Sequence, residues 1–329
     1  MKLLPEWRNW YTRTTQNRVS QGVRVRVPPP AQMNKVLVIL GPTATGKSSL
    51  AVKLARKYRG EVISADSRQV YKGLDIGTGK ITKEEMQGIH HWLLDVVSPQ
   101  KTFSVADFKK LADSKIKTIL KRSKLPMIVG GTGFYIQSIV DNVLLPEVPP
   151  NQNLRKELET KSLDELVSIL KRLDAKRTET IDLKNKVRLI RAIEIAQTIG
   201  KVPEIQTNPS EYEFLQIGLK LSPDEIRTKI KKRLISRVKQ GMIQEAEKLH
   251  KKGLSFERMR ELGLEYRYLA DLLEKRISKK EFLEKLETAI YQYSKRQMTW
   301  FKRDKRIHWF EPKDTKKIEK MVANFLQNK

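Results

Sequence analysis

A glycine-containing loop at residues 41–48 has the residue types and spacing of a phosphate-binding site. It fits the pattern G-x-x-x-x-G-K-S/T, with the members Gly41, Pro42, Thr43, Ala44, Thr45, Gly46, Lys47 and Ser48. In loops of this pattern, backbone N–H groups converge on phosphate oxygens, the lysine neutralises charge and the serine hydroxyl can bind Mg²⁺. The spacing predicts that this segment, called here the glycine loop, binds a di- or triphosphate and that Ser48 is the metal-binding residue.

A carboxylate is expected beside the glycine loop. Asp66 directly follows an apolar run at residues 61–65, and Ser67, Arg68 and Gln69 come next. If that run is a strand of a parallel sheet, Asp66 lies at the edge where ligands bind. The position suits a general base, but a helix cap or an indirect role at a Mg²⁺ site is about equally compatible with it. The glycine loop alone does not distinguish phosphoryl transfer from loss of diphosphate, because both need the same neutralisation of charge.

Three further segments carry weaker signals. Thr132, within a GGTG sequence after another apolar run, is expected to face the same site, although a tight turn is the simpler interpretation of those glycines. A glycine-containing segment at residues 75–80 is a candidate loop near the same edge. His90 and His91 are adjacent, which does not suit two metal ligands on one helical face, so we interpret them as structural.

The elements around the glycine loop favour phosphate binding over a chance turn. Residues 35–40 (KVLVIL) form a continuous apolar run typical of a buried parallel strand, and residues 48–58 after the loop have helical spacing. Further strands are predicted at 61–65, 126–129, 214–219 and 305–310, with a helix at 105–122. The alternation predicts an α/β fold, a P-loop NTPase-like doubly wound parallel sheet with ligands at the carboxyl ends of its strands.

The order of these elements suggests a core in two parts. Residues 33–143 are predicted to form the first part of the catalytic core, and residues 144–205, which follow a proline-rich link, an inserted helical lobe that binds RNA. Residues 206–329 then supply the second part of the core together with a basic helical region.

Composition narrows the possible partners. The chain has 329 residues, 32% of them charged, and its 66 lysines and arginines against 38 acidic residues give a net charge of +28. An excess of positive charge spread along the chain favours a polyanion partner, with a basic surface that serves only solubility as the alternative. The chain has no cysteine, which excludes disulfides, thiolate zinc sites and cysteine nucleophiles.

Taken in order, the motifs resemble the tRNA dimethylallyltransferase family, also called tRNA isopentenyltransferase. The segments that carry the resemblance are GPTATGKS (41–48), ISADSRQVYKGLDIGTGK (63–80), HHWLLDVVSP (90–99), FSVADF (103–108), IVGGTGFY (128–135), VRLIRAIEI (187–195) and SKRQMTWF (294–301). The chain departs from the family pattern at Asp174-Ala175, at Ser294, and at Gly263-Leu264-Glu265-Tyr266, where the family has Gly-Tyr-Lys-Glu. The last departure affects an expected RNA contact.

The resemblance implies a reaction and a set of catalytic residues. A dimethylallyl group would pass from dimethylallyl diphosphate to N6 of adenine 37, next to the anticodon of tRNA, giving N6-dimethylallyladenosine and diphosphate. Asp66 would take the N6 proton, Lys47 and Thr43 would stabilise the leaving diphosphate with Mg²⁺ held by Ser48, and Thr132 would position the diphosphate or the adenine. The adenine must leave the base stack to reach such a site, which costs least in a loop such as the anticodon loop.

The resemblance also implies which residues contact the tRNA anticodon stem-loop. They are Asp66, Ser67, Arg68, Gln69, Thr132, Arg155, Val187, Arg188, Leu189, Ile190, Arg191, Lys295, Arg296, Gln297, Thr299, Trp300 and Arg303. Arg188 and Arg191 share one helical face, as do Arg296, Thr299 and Arg303. Solvated basic faces are the alternative interpretation.

The first 32 residues differ from the remainder. They contain basic residues and a Pro28-Pro29-Pro30 run but no apolar core of a secretory signal, and are predicted to form a tail independent of the fold. The segment Arg24 to Pro28 can be encoded by CGGGTTCGAGTCCC, which contains the GGTTCGA of a tRNA gene. We therefore raise the hypothesis that residues 1–32 are an upstream tRNA gene read as protein and that Met33 is the true start; a basic arm that touches RNA is the competing hypothesis.

Three other function classes remain open from the sequence. A small-molecule kinase would require ATP turnover and an arginine-bearing lid over the phosphates. An adenylate isopentenyltransferase acting on free nucleotides would not need the basic helical lobe. A non-catalytic RNA-binding module would not need Lys47, Ser48 and Asp66. We expect a cytoplasmic, monomeric enzyme without membrane contact.

Overall fold

The computed structural model describes residues 34–328, and the expectations for residues 1–32 and for a start at Met33 lie outside that range. Its centre is a six-stranded sheet with the strand order β3-β2-β4-β1-β7-β8, in which every neighbouring pair is parallel. Its strands are β1 (Lys35–Leu40), β2 (Gly60–Ala65), β3 (His91–Trp92), β4 (Leu125–Gly130), β7 (Glu213–Leu219) and β8 (Ile307–Phe310). The predicted doubly wound parallel sheet is confirmed.

Helices cover both faces of this sheet. Val36, Val38 and Leu40 of β1 face one way, toward α3 (Val105–Lys121) and α4 (Gly133–Val140). Leu37 and Ile39 face the other way, toward α1 (Lys47–Tyr58) and α14 (Thr315–Gln327). Because helices cover both faces, β1, β2 and β4 are buried along their length and rich in apolar residues rather than alternating, which explains why their runs could be located from sequence.

Two helical regions extend from the sheet. The first contains α5 (Gln152–Glu159), α6 (Leu163–Leu173), α7 (Ala175–Thr180) and α8 (Lys186–Ile199), with the two-stranded sheet of β5 (Val143–Leu144) and β6 (Gln206–Thr207) at its base. The second contains α9 (Pro223–Lys239), α10 (Met242–Lys251), α11 (Phe256–Leu262), α12 (Leu264–Leu273) and α13 (Lys279–Phe301). The short α2 (Lys83–Met86) precedes β3. Each region has its own apolar cluster, with Leu166, Leu170 and Ile193 in the first and Tyr266, Phe282 and Leu286 in the second.

The three shortest strands were not predicted from the sequence. β3, β5 and β6 have two residues each, too few to show a periodicity, and the last predicted strand begins at Ile307 rather than Lys305. His91 belongs to edge strand β3, and its Nδ1 lies 2.9 Å from the Ile89 carbonyl oxygen. Within residues 34–328, no helix is both long enough and apolar enough to cross a membrane.

Candidate active site

The glycine loop joins the carboxyl end of β1 to the start of α1 and depends on its glycines for its shape. Gly41 has φ +140°, and a Cβ there would lie 2.4 Å from the carbonyl oxygen of Leu219. Gly46 has φ +88° and stands immediately before α1. Left-handed backbone of this kind favours glycine and allows the chain to turn sharply between β1 and α1. Because Gly46 has no side chain, it does not cover the unpaired N–H groups at the start of α1.

Lys47 is held inside this loop. Its Nζ donates a 2.7 Å hydrogen bond to the Pro42 carbonyl oxygen. Burial lowers the pKa of Lys47 to about 8; the negative charge of Asp66 opposes this change, and the positive charge of Arg233 adds to it. A phosphate group bound in the loop would supply the counter-charge that the ammonium lacks and would restore its protonation.

Asp66 lies at the carboxyl end of β2, beside the glycine loop. Its Oδ1 accepts hydrogen bonds from the backbone N–H of Arg68 at 2.9 Å and of Gln69 at 3.3 Å. Among the described residues, no hydrogen bond involves Oδ2. One carboxylate oxygen therefore shapes the turn at residues 66–69, while the other is available to a substrate.

Lys47 and Asp66 line one and the same cleft. Its volume is about 1140 Å³, and Thr43, Ser48 and Arg68 also border it. The geometric condition set by the sequence interpretation, that the lysine and the acid flank a common cleft, is met.

Thr132 does not border this cleft itself but is hydrogen-bonded to Ser67, which does. Its Oγ1 accepts a 3.0 Å hydrogen bond from the Ser67 N–H, next to Asp66. The glycines before it permit close packing, because a Cβ on Gly130 would lie 2.1 Å from the Ala65 carbonyl oxygen. Its hydroxyl supports the backbone that carries the acid, and the expectation that Thr132 also positions a ligand stays a prediction.

Gln297 connects the glycine loop to the turn after β4. Its Oε1 accepts from the Thr43 N–H at 2.9 Å, and its Nε2 donates to the Gly131 carbonyl oxygen at 2.9 Å. The side chain is buried, and a Cβ on Gly131 would lie 2.3 Å from Nε2. Gln297 also borders the cleft, and both ends of its amide are paired within the protein; the predicted tRNA contact by this residue stays a prediction.

We expect Gln297→Leu to lower the free energy of unfolding by about 1–3 kcal/mol, because the substitution leaves a buried N–H and a buried C=O unpaired. Chemical denaturation measures this. Gln292→Leu is the matched control, because Gln292 is an exposed residue of the same helix that also borders the cleft. Equal stabilities of the two variants would contradict the bridging role.

The second helical region supplies further cleft residues, of which only Arg296 was predicted from sequence. Lys229 and Arg233 come from α9, Arg267 from α12, and Tyr293 and Arg296 from α13. Burial raises the pKa of Tyr293 to about 12, with the charge of Asp66 as the next cause, so this phenol stays neutral beside the acid. A usable signal existed for α9: Lys229 and Arg233 are four residues apart and lie beside the buried Ile226 and Ile230 on the helix surface.

The remaining predicted tRNA contacts divide into exposed and committed residues. The exposed ones are Val187, Arg188, Lys295, Arg296, Thr299 and Arg303, while Trp300 is half-buried against Gly133. Leu189 and Ile190 are buried in the apolar cluster of the first helical region, so their side chains cannot contact RNA and this part of the prediction is wrong. Ser67, Arg68 and Gln69 border the cleft with Asp66.

Arg155 and Arg191 are committed to a buried carboxylate. Glu194 is 1% exposed and forms a two-bond pair with Arg155, at 2.9 and 2.8 Å, and a further pair with Arg191. Arg191 also donates to the Val148 carbonyl oxygen at 2.8 Å. One carboxylate balances only one of these two positive charges, and both arginine side chains are partly exposed. The tRNA contacts of Arg155 and Arg191 stay a prediction.

The segment that departs from the family pattern has defined partners. Gly263 has φ +71° and starts α12, Glu265 pairs with Arg237 at 3.0 Å, and the fully buried Tyr266 donates to Glu245 at 2.6 Å. Glu265 borders the cleft; Tyr266 does not.

The side-chain oxygens at the cleft suit a metal ion that is bound mainly by the phosphate groups of the enzyme's substrate. Ser48 is exposed at the cleft. Residues 34–328 contain no group of three or more histidines or acidic residues able to enclose a metal. Mg²⁺ commonly keeps several waters and binds through one or two protein oxygens plus phosphates, so Ser48 fits Mg²⁺ accompanied by a diphosphate.

Comparison with known proteins agrees with this geometry. The model of a family described as IPP transferase matches residues 69–304. A tRNA dimethylallyltransferase of Anoxybacillus flavithermus is 40% identical over 297 residues, covering 89% of this chain and 95% of the relative. The crystal structure of a tRNA isopentenylpyrophosphate transferase from Bacillus halodurans superposes with a TM-score of 0.68 at 35% identity, over 89% of this chain and 97% of that one.

A more distant structure shares the fold as well. A eukaryotic dimethylallyltransferase captured acting on tRNA superposes with a TM-score of 0.69 at 26% identity, over 81% of this chain and 69% of that one. The similarity extends over nearly the whole length of the bacterial relatives. The chain belongs to the IPP transferase family of prenyltransferases.

Proposed function

We propose that this enzyme transfers a dimethylallyl group from dimethylallyl diphosphate to N6 of adenine 37 in tRNA, producing N6-dimethylallyladenosine and diphosphate. The observation that carries the proposal is the shared cleft, which has a half-buried lysine in a phosphate-type loop on one side. On the other side is a carboxylate with one oxygen that accepts no hydrogen bond from the described residues. In this reaction the bond between C1 and the diphosphate oxygen breaks, a bond between N6 and C1 forms, and N6 loses a proton.

The leaving diphosphate would be bound by the glycine loop. The N–H groups at the start of α1, the Lys47 ammonium and the nearby Arg233 guanidinium supply the positive potential. When bound, Mg²⁺ on Ser48 would neutralise part of the charge that develops on the leaving group. These interactions strengthen as the C–O bond breaks, which lowers the barrier to departure.

Asp66 would receive the proton. The lone pair of the adenine amine is conjugated with the ring, so N6 attacks efficiently only if its proton is removed during the reaction. Oδ2 of Asp66 can accept it, while the two backbone hydrogen bonds to Oδ1 hold the carboxylate in place. The neutral Tyr293 borders the same cleft, and the hydrogen bond between the Ser67 N–H and Thr132 supports the backbone next to Asp66.

The tRNA would approach over the exposed basic surface of α13 and the neighbouring cleft mouth. Lys295, Arg296 and Arg303 are exposed there, and Arg296 also borders the cleft. Unpaired, flexible loop bases are the least costly to extrude, which fits an anticodon loop. The kinase alternative does not explain this surface.

We expect Arg296→Ala to weaken tRNA binding and to reduce the salt slope of the binding constant by about 1, because each phosphate contact releases counterions. Filter binding at several salt concentrations measures the slope. Arg276→Ala is the control, an exposed arginine that pairs with Glu274 and does not border the cleft. An unchanged slope for Arg296→Ala would exclude a phosphate contact at this residue.

Product analysis tests the proposed function. The enzyme is incubated with dimethylallyl diphosphate, Mg²⁺ and one of three acceptors: unmodified tRNA, the same tRNA with adenine 37 replaced, or free AMP. Mass analysis of the nucleosides should find the prenylated adenine with the first acceptor only. Transfer to AMP would indicate an adenylate isopentenyltransferase, and the absence of transfer to every acceptor would contradict the proposed function.

The site of action follows from the substrate. If tRNA is the acceptor, the enzyme works where tRNA is matured, and we place it in the cytoplasm. One chain contributes every residue assigned above, so a monomer suffices for the reaction.

A further inference from the structure

We propose that Glu245 is a positioning residue for diphosphate binding: by holding the loop at residues 75–79, it sets the wall against which Arg233 lies. The inference rests on the proposed function and names a residue that contacts neither substrate. The loop borders the cleft through Thr78 and Gly79.

The Glu245 carboxylate receives four hydrogen bonds in an unusual arrangement. Oε2 accepts from the backbone N–H of Asp75 at 3.1 Å and of Ile76 at 2.7 Å, and Oε1 accepts from the Gly77 N–H at 2.9 Å. The Tyr266 hydroxyl donates to Oε1 at 2.6 Å. Three consecutive N–H groups converging on one carboxylate resemble an anion-binding concavity, which here is filled by a side chain of the protein itself.

The loop is also held from its other side. Arg237 donates to the Gly77 carbonyl oxygen at 2.7 Å and pairs with Glu265 at 3.0 Å. Gly77 has no space for a side chain, because a Cβ would lie 2.6 Å from the Tyr266 hydroxyl oxygen. Peptide groups 75–77 are therefore fixed by charged partners on α10, α9 and α12, although the loop itself is far from these helices in sequence.

The fixed loop determines the surroundings of Arg233. Gly79 has φ +60°, and a Cβ there would lie 2.8 Å from Nη2 of Arg233, so the guanidinium rests directly on the glycine. Arg233 and Lys47 line the same cleft, and the positive charge of Arg233 helps to lower the pKa of Lys47. If the loop shifts, the support under Arg233 shifts with it, and the geometry of the predicted diphosphate site changes.

Glu245→Gln is the informative substitution, because it keeps the size of the side chain while replacing one acceptor oxygen by an NH₂ group that faces N–H donors. We expect the affinity for inorganic diphosphate in the presence of Mg²⁺, measured by calorimetry, to fall on the order of tenfold, as is typical when a residue that orients ligand-binding groups is lost. The KM for dimethylallyl diphosphate should rise similarly, while the affinity for tRNA stays unchanged.

Glu61→Gln is the matched control. Glu61 is another carboxylate that receives several donors, from Trp92, Arg122 and Lys124, but it lies at the opposite end of β2 from Asp66 and does not border the cleft. It should lose stability without losing diphosphate affinity. If Glu245→Gln does not fold, Tyr266→Phe removes one of the four donors and should weaken diphosphate binding by a smaller factor, about threefold.

The outcomes separate the two proposals. Wild-type enzyme that transfers dimethylallyl and binds diphosphate, together with a weakened Glu245→Gln or Tyr266→Phe variant, supports the inference. Wild-type affinity in the variant that folds overturns the inference and leaves the proposed function intact. Wild-type enzyme that binds no diphosphate would overturn the proposed function and this inference with it.

Discussion

Asp66→Asn is expected to reduce dimethylallyl transfer by about 10²–10⁴-fold, the range attributed to a general base. An amide keeps an Oδ1 that can accept the backbone hydrogen bonds of Arg68 and Gln69, but it cannot take up the adenine proton. The turn at residues 66–69 should therefore persist, and the loss should appear in the chemical step. Single-turnover measurements with saturating tRNA and dimethylallyl diphosphate report that step directly.

Asp66→Ala is a more disruptive substitution, because it removes both the proton acceptor and the side-chain oxygen that stabilises the turn at residues 66–69. Transfer should be abolished, whereas the dissociation constant of tRNA should change little, since most of the exposed basic residues lie elsewhere. A variant that retains turnover would remove the assignment of Asp66 as base. A variant that loses tRNA binding in proportion to activity would instead assign Asp66 to recognition.

Lys47→Met is expected to lower the transfer rate by about 10²–10³-fold, comparable with the loss of a single preorganised donor to a developing negative charge. Methionine preserves the length and the apolar stem, so the glycine loop should retain its shape while losing the ammonium that is hydrogen-bonded to Pro42. Diphosphate affinity should fall as well, and calorimetry with inorganic diphosphate measures it separately from chemistry. Full activity would contradict the role of the loop.

The pKa of Lys47 also predicts a pH dependence. In the free enzyme burial lowers this pKa to about 8, so the ammonium is present below pH 8 and is lost as the pH rises above it. Diphosphate binding should weaken above pH 8 in the wild type. Lys47→Arg retains its charge throughout this range and should show a flatter profile, whereas identical profiles for the two proteins would mean that another group controls binding.

The parts of the site that sequence predicted are those determined by neighbouring residues. The glycine loop and Asp66 each follow a buried strand, and parallel strands bring their carboxyl ends to one edge, so β1 and β2 place Lys47 and Asp66 together. The chemistry of each loop could be predicted because its functional residues are close together in the sequence: the glycines and the lysine in the glycine loop, and the acid with the residues that follow it after β2.

The parts that sequence did not predict come from distant helices. Gln297 is 254 residues from Thr43, and Glu245 is 168 residues from Gly77, so no local pattern could show that they meet. The pairing of Arg155 and Arg191 with Glu194 was not predicted either, because the family resemblance assigned both arginines to tRNA and gave no reason to look for a carboxylate within the apolar face of α8. An acidic residue within an apolar helix face is the signal that could have been used.

The most direct test of the account is a crystal structure of the enzyme with an anticodon stem-loop and a non-transferable analogue of dimethylallyl diphosphate. The account predicts the diphosphate on the N–H groups of the glycine loop and on Lys47, with adenine 37 extruded and its N6 about 2.6–3.2 Å from an Asp66 carboxylate oxygen. A diphosphate bound away from Lys47, or an adenine amine out of reach of Asp66, would contradict it.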